Sequence, residues 1–199
     1  MTQLNDIYKP SLALLTDLYQ LTMAQGYWKL GRAEEPAVFN LAFRSRPFGS
    51  GYAIAAGLQY VIDFLSELHF DEHDLAYLGS LTGSDGEPLF DKRFLDYLGH
   101  MTLAIDLHAP AEGSVVFPHE PMARVKGPLL QGQLLETPLL NMLNFQTLVA
   151  TKAARLLEAS QGDPVIEFGL RRAQGIDGGL SATRASYIGG CDSTSNVLA

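Results

Sequence analysis

The sequence predicts an α/β fold, and three observations carry that expectation. Stretches stepping at three and four residues alternate with short runs stepping at two. A β-prone region broken by glycine and proline fills the middle of the chain. Near the C-terminal end a strand, a polar loop and a helix follow in that order, the opening unit of a parallel layer. Residues 1–135 are expected to form an N-terminal α/β domain with a small antiparallel sheet. Residues 136–199 are expected to supply a connecting helix and the first strand–loop–helix unit of a second α/β region.

The first helix is expected over Leu12 to Lys29, with Leu12, Leu15, Tyr19 and Met23 near one face and Thr16 or Asp17 at its first turn. After Pro36, the residues Ala37, Phe39, Leu41 and Phe43 alternate with Val38, Asn40, Ala42 and Arg44, the period of a strand that ends in Arg44 and Arg46. Gly49 and Gly51 mark a loop, and Ile54 through Leu68 has helical spacing. Shorter helices are expected over roughly Asp71 to Leu81 and Pro88 to Tyr97. Between them lies Thr-Gly-Ser-Asp-Gly-Glu-Pro, a cluster of turn formers. Four short strands are expected between Leu103 and Leu134, the last of them Leu129 to Leu134. Thr137 and Pro138 then predict the N-cap and first residue of a long helix reaching Leu157, with a boundary near Gly162. Pro164 to Phe168 reads as a strand, and Leu180 to Ile188 as a helix.

A formal net charge of −8 argues against the broad cationic surface that nucleic acid or anionic lipid requires, so neither is expected as a partner. Any anion must instead meet a local cluster of arginines. Cys191 is the single cysteine, which excludes an internal disulfide and any multi-cysteine zinc site. The N-terminus lacks a secretory pattern and no apolar run approaches the ~20 residues of a membrane span, so a cytoplasmic setting is expected. Asp106 and His108 share a strand face, but two ligands without a third do not make a metal site. No metal ligand and no nucleophile is assigned.

Three segments could carry chemistry. In Glu167-Phe168-Gly169-Leu170-Arg171-Arg172, a strand running into two arginines places forked donors where parallel folds bind phosphates. A solvated loop is the competing reading. Gly189 to Asn196 is a hydroxyl-rich loop that could hold ribose or phosphate, or could serve only as a connection. Tyr19, with Arg44 and Arg46, could stack on a flat ligand and meet its anionic groups, although on pattern alone a core or interface tyrosine is the better reading of Tyr19.

Thr-Asp-Leu-Tyr-Gln-Leu-Thr-Met-Ala (16–24), Phe-Arg-Ser-Arg-Pro-Phe-Gly (43–49), Glu-Phe-Gly-Leu-Arg-Arg-Ala-Gln-Gly (167–175) and Gly-Gly-Leu-Ser-Ala-Thr-Arg-Ala (178–185) resemble, in order and spacing, the nicotinate phosphoribosyltransferase family. The resemblance implies a type II phosphoribosyltransferase, in which an N-terminal α/β domain packs on an irregular α/β barrel that is incomplete in this sequence. It implies a homodimer assembled head to tail, and the substrates nicotinate, phosphoribosyl pyrophosphate and ATP, with magnesium accompanying the phosphates. Tyr19 would stack on the nicotinate ring, of its own or the neighbouring subunit's site, and Phe168 would lie near the other face. Arg44, Arg46 and Arg171 would meet pyrophosphate or phosphoribosyl groups, and Asp192 would stand near the base or ribose. The catalytic phosphohistidine that couples ATP hydrolysis is expected beyond Ala199, so this chain alone is expected to be inactive. The alternatives are a related nicotinamide or quinolinate phosphoribosyltransferase, or a truncated, non-catalytic interaction module.

Overall fold

The structure is a computed structural model that describes residues 11–45, 47–49 and 51–199. Two compact units interleave along the chain. The first takes in the described residues up to Phe39, with Ile62–Leu107 and Val125–Pro138; the second takes in Asn40–Val61, His108–Arg124 and Leu139–Ala199. These units are defined by compactness, whereas the expected 1–135 and 136–199 division rests on sequence pattern.

In the first unit, helix α1 spans Leu18–Lys29 and not the whole run from Leu12. Asp17 is its N-cap, with an extended backbone, but its carboxylate leaves the first turn uncapped and accepts a hydrogen bond from Thr137 Oγ1 at 2.8 Å. Of the residues grouped near one face, Leu15, Tyr19 and Met23 are exposed. Gln20, Leu21, Ala24 and Gln25 are buried instead. Polar residues can occupy that inner face because their amides are satisfied there. Gln25, for example, donates to the Leu89 carbonyl and accepts from the Asp91 amide.

Helices α3 (Glu72–Ser80) and α4 (Lys92–His100) join α1 around Phe94, which is fully buried. Trp28 and Tyr97 hold their ring centroids 5.8 and 6.5 Å from that of Phe94. Asp71 starts α3 through a reciprocal capping box, its Oδ1 accepting from the Asp74 amide at 2.8 Å while its own amide donates to the Asp74 carboxylate. Replacing Asp71 with alanine is expected to lower unfolding free energy by about 1 kcal/mol, read as a reduced urea midpoint at unchanged m-value.

Strands β1 (Pro36–Leu41), β3 (Asp106–His108) and β5 (Ala123–Pro128) form a three-stranded sheet in the order β1-β5-β3. β1 keeps the predicted alternation, with Ala37, Phe39 and Leu41 turned inward. Leu129–Leu134 departs from expectation, being helix α5 and not a strand. Every residue from Leu130 to Leu134 is buried, so the run has no polar face from which a period could be read. Gly132 admits the Phe39 ring, whose Cε2 and Cδ2 occupy the space a β-carbon would need.

In the second unit, β2 (Ala53–Ile54) pairs antiparallel with β4 (Val115–Val116). Ile54, expected to open a helix, is therefore in a strand; α2 begins only at Leu58 and ends at Glu67. The Ile54 and Ala56 amides donate to Thr151 Oγ1 and Thr147 Oγ1 of α6 (Glu136–Ser160), bonds that favour the extended conformation. Thr137 and Pro138 are the second and third residues of α6 rather than its cap and first residue. Proline is tolerated there because amides of the first turn have no intrahelical partner.

The chain then forms β6 (Ile166–Glu167), helix α7 (Gly175–Ile188) and β7 (Ser193–Thr194). β7 runs parallel to β6, with Ile166 opposite Ser193 and Glu167 opposite Thr194. The 189–196 stretch, expected as a loop, thus contains the partner strand, and the unit is a closed strand–helix–strand crossover. Among the described residues no helix is long and apolar enough to cross a membrane.

Candidate active site

A cleft of about 470 Å³ opens in the second unit, lined by residues of β6, α7 and β7 together with Tyr60. Glu167 organises it. This carboxylate accepts hydrogen bonds from Thr194 Oγ1 at 2.6 Å, from Thr183 Oγ1 at 3.1 Å and from the Gly169 amide. One side chain therefore ties together β6, α7, β7 and the turn after β6. Two-residue strands offer few backbone bonds, so these side-chain bonds carry much of the register. Partial burial pushes the Glu167 acid upward, but the donated bonds outweigh it and the net shift is downward, keeping the group ionised near neutrality. Asn196, buried, completes the cluster by donating to Thr183 Oγ1 at 3.2 Å.

Immediately after Glu167 the chain presents Phe168, 55% exposed, and then a 3₁₀ turn, Leu170–Arg172. The Arg171 guanidinium lies over the Phe168 ring, 5.0 Å from its centroid. Neither Arg171 nor Arg172 forms an ion pair among the described residues, and both are exposed. A flat apolar ring backed by a forked cation suits a flat anionic ligand. Gly179 makes room for this turn; a β-carbon there would come within 2.6 Å of Leu170 Cδ1.

Of the described arginines, Arg184 lines the cleft itself, but it is already occupied. Its guanidinium donates to both Glu112 oxygens, at 2.9 and 2.5 Å, and to Gln146 Oε1 at 3.0 Å, and it lies over the Tyr60 ring. Hydrogen bonding from Arg184 holds the Glu112 acid below the usual carboxylate range. A depressed folded-state pKa gives stability that is complete above the unfolded value, ~4.3, and is lost as pH falls through the folded value. The native protein is accordingly expected to lose Tm on acidification more steeply than Glu112→Gln does, as measured by thermal melts from pH 6 to pH 3.

The residues expected from sequence are distributed as follows. Phe168 and Arg171 stand together after β6, next in the chain to Glu167, and Asp192, exposed, lines the cleft with Glu167 one residue before β7. Arg44 is exposed in the second unit beyond β1, without an ion pair among the described residues. Arg46 lies outside the described residues. Tyr19 belongs to the first unit; it is 49% exposed, and its hydroxyl accepts from Gln20 Nε2 at 2.8 Å. Cys191 is buried beside the cleft. Burial raises its thiol, the Glu167 and Asp192 carboxylates raise it further, and it is poorly suited to act as a nucleophile.

Sequence reasoning gave no role to Glu167, Thr183, Arg184, Glu112 or Tyr60. Glu167, Thr183 and Arg184 lie inside motifs already singled out, so a signal existed for them. Glu112 and Tyr60 carry none, because they meet Arg184 only through the fold. No group of three or more His, Cys, Asp or Glu side chains able to hold a metal ion occurs among the described residues.

The family model for the nicotinate phosphoribosyltransferase N-terminal domain matches residues 14–144. The nicotinate phosphoribosyltransferase of Dictyostelium discoideum is 50% identical over 188 residues, which cover 94% of this chain and 31% of that protein. The human nicotinate phosphoribosyltransferase is 49% identical over 188 residues, covering 94% of this chain and 34% of its own length. The crystal structure of human nicotinic acid phosphoribosyltransferase superposes with a TM-score of 0.83 at 47% identity, over 92% of this chain and 36% of that one. The nicotinate-nucleotide pyrophosphorylase of Pyrococcus furiosus shares the fold at 22% identity, with a TM-score of 0.71 over 100% of this chain and 41% of that one. The chain thus spans about a third of the length of the curated relatives it matches.

Proposed function

The chain belongs to the nicotinate phosphoribosyltransferase family, and from that premise we propose that the complete protein joins nicotinate to phosphoribosyl pyrophosphate in NAD biosynthesis. The observation that carries the reading is the Phe168–Arg171 pair, which directly follows Glu167, a residue that lines the cleft together with Asp192. In the proposed reaction the pyridine nitrogen lone pair attacks ribose C1. The C1–oxygen bond breaks and pyrophosphate leaves with the electron pair, giving nicotinate mononucleotide without a proton transfer. The protein's contribution is to position the reactants and to stabilise the charge that grows on the leaving group.

In this reading Phe168 takes one face of the nicotinate ring, and Arg171, Arg44 and Arg46 meet phosphate oxygens. Asp192 stands near the base or ribose. Tyr19 takes the stacking role that the family resemblance assigns, in a head-to-tail homodimer. ATP hydrolysis through a phosphohistidine outside these 199 residues drives nucleotide formation. The described residues offer no ligand set for magnesium, which would come with the phosphates, and no step here depends on it.

The test is nicotinate-dependent pyrophosphate release with phosphoribosyl pyrophosphate and ATP, measured on the 199-residue chain and on the full-length gene product. Turnover by the full-length product with nicotinate, and not with nicotinamide or quinolinate, is the expected result. A preference for either of those bases would overturn the substrate assignment. Turnover by the 199-residue chain alone would overturn the dependence on residues outside it.

A further inference from the structure

Gln20 has no exposed surface, although it carries an amide that must find partners wherever it is buried. Its Nε2 donates to the Tyr19 hydroxyl at 2.8 Å and to Glu136 Oε2, at the start of α6, at 2.7 Å. Its Oε1 accepts from Gln133 Nε2 of α5. All three bonds lie within the first unit, and together they use both amide protons and the carbonyl. A leucine would fill such a position without any need for partners, whereas a buried polar network is stable only when every member is satisfied. Two members of this network reach the surface, the half-exposed Tyr19 and Glu136, and of these Tyr19 carries the flat ring.

We propose that Gln20 is a positioning residue, which pins the Tyr19 hydroxyl and so holds the tyrosine ring in one plane as a platform for the nicotinate ring. The inference rests on the assignment of Tyr19 to the base. An exposed tyrosine held only at its β-carbon samples several rotamers and must be immobilised when a ligand stacks on it. One held at both ends has lost that freedom before the ligand arrives, and the gain appears in affinity for the base.

The test is a mutant cycle in the full-length gene product with Gln20→Met, Tyr19→Phe and the double variant, alongside Tyr19→Ala. Tyr19→Phe keeps the stacking ring and removes the pinned hydroxyl from the surface side, so it reads the same bond even where Gln20→Met lowers stability. Each single variant is expected to raise the KM for nicotinate about tenfold, on the scale of one immobilised side chain. The KM for phosphoribosyl pyrophosphate and kcat should stay within about twofold, and the double variant should be no worse than the more affected single one. Additive effects, or equal rises in both KM values, would overturn the inference and leave Gln20 a packing residue. If Tyr19→Ala leaves the nicotinate KM unchanged, the assignment of Tyr19 itself falls and the inference with it. If Tyr19→Ala raises that KM while Tyr19→Phe and Gln20→Met do not, only the inference falls.

Discussion

Replacing Arg171 with alanine in the full-length gene product is expected to lower kcat/KM for nicotinate-dependent pyrophosphate release by about 10²–10³-fold, the usual effect of removing one donor aimed at developing negative charge. Two features of Arg171 lead to this. It is an exposed guanidinium without an ion pair among the described residues, so its donors remain available to a ligand. It also stacks on Phe168, so the ring and the charge are presented as one rigid unit. Arg171→Lys retains the charge but loses the fork and the stacking, and should recover only part of the loss. Arg172, without a stacking partner among the described residues, should matter less when replaced by alanine. Arg184→Ala should instead lower stability, because its donors already bind Glu112 and Gln146. Activity of Arg171→Ala within twofold of native would remove Arg171 from the proposed site.

The elements that were legible in the sequence are those whose inner and outer faces differ. β1 alternates because one face meets solvent, and the helix expected from Asp71 does start there because Asp71 and Asp74 form its capping box. The misread elements lack that contrast. α5 is buried on all sides from Leu130 to Leu134, and Ile54 is extended because Thr151, 97 residues away, accepts its amide hydrogen. α7 starts at Gly175 and runs through Gly178 and Gly179, residues that disfavour helices in isolation. Packing overrides that preference, since the turn carrying Arg171 must close against Gly179.

The same division holds for the candidate site. Phe168, Arg171 and Asp192 could be named because they lie in recognisable strings. Pairings across long sequence separations could not, such as Glu112 with Arg184 across 72 residues in the second unit, and Gln20 with Glu136 across 116 in the first. A motif singles out residues by their order in the chain, whereas pairings between distant residues become visible only when the chain is folded. Glu167 is intermediate, being part of the motif while its roles as acceptor for Thr183 and Thr194 appear only with β7 in place.

The largest stability effect is expected from Gly57→Ala, which should cost about 3–5 kcal/mol, from left-handed backbone strain together with overpacking. Gly57 has φ +102°, a conformation unfavourable to any residue with a β-carbon. That added carbon would fall on the carbonyl oxygen of Met142 and within 3.1 to 3.2 Å of Met142 C and Leu143 Cα. All three are backbone atoms of α6, and none can turn aside as a flexible side chain would. Gly51→Ala is the matched control, since no atom lies within 4 Å of its β-carbon position, and it should shift the urea midpoint by less than about 0.5 kcal/mol equivalent. A loss under about 1 kcal/mol for Gly57→Ala would mean that this segment does not approach α6 so closely. The expected loss should extend to the candidate site. The Gly57 amide donates to Glu112 Oε1 at 2.6 Å, and Glu112 in turn grips Arg184 on the helix that joins β6 to β7. Displacing Gly57 removes one of the donors that hold the Glu112 acid down, so the acid loss of residual activity in Gly57→Ala should begin at higher pH than in Gly51→Ala.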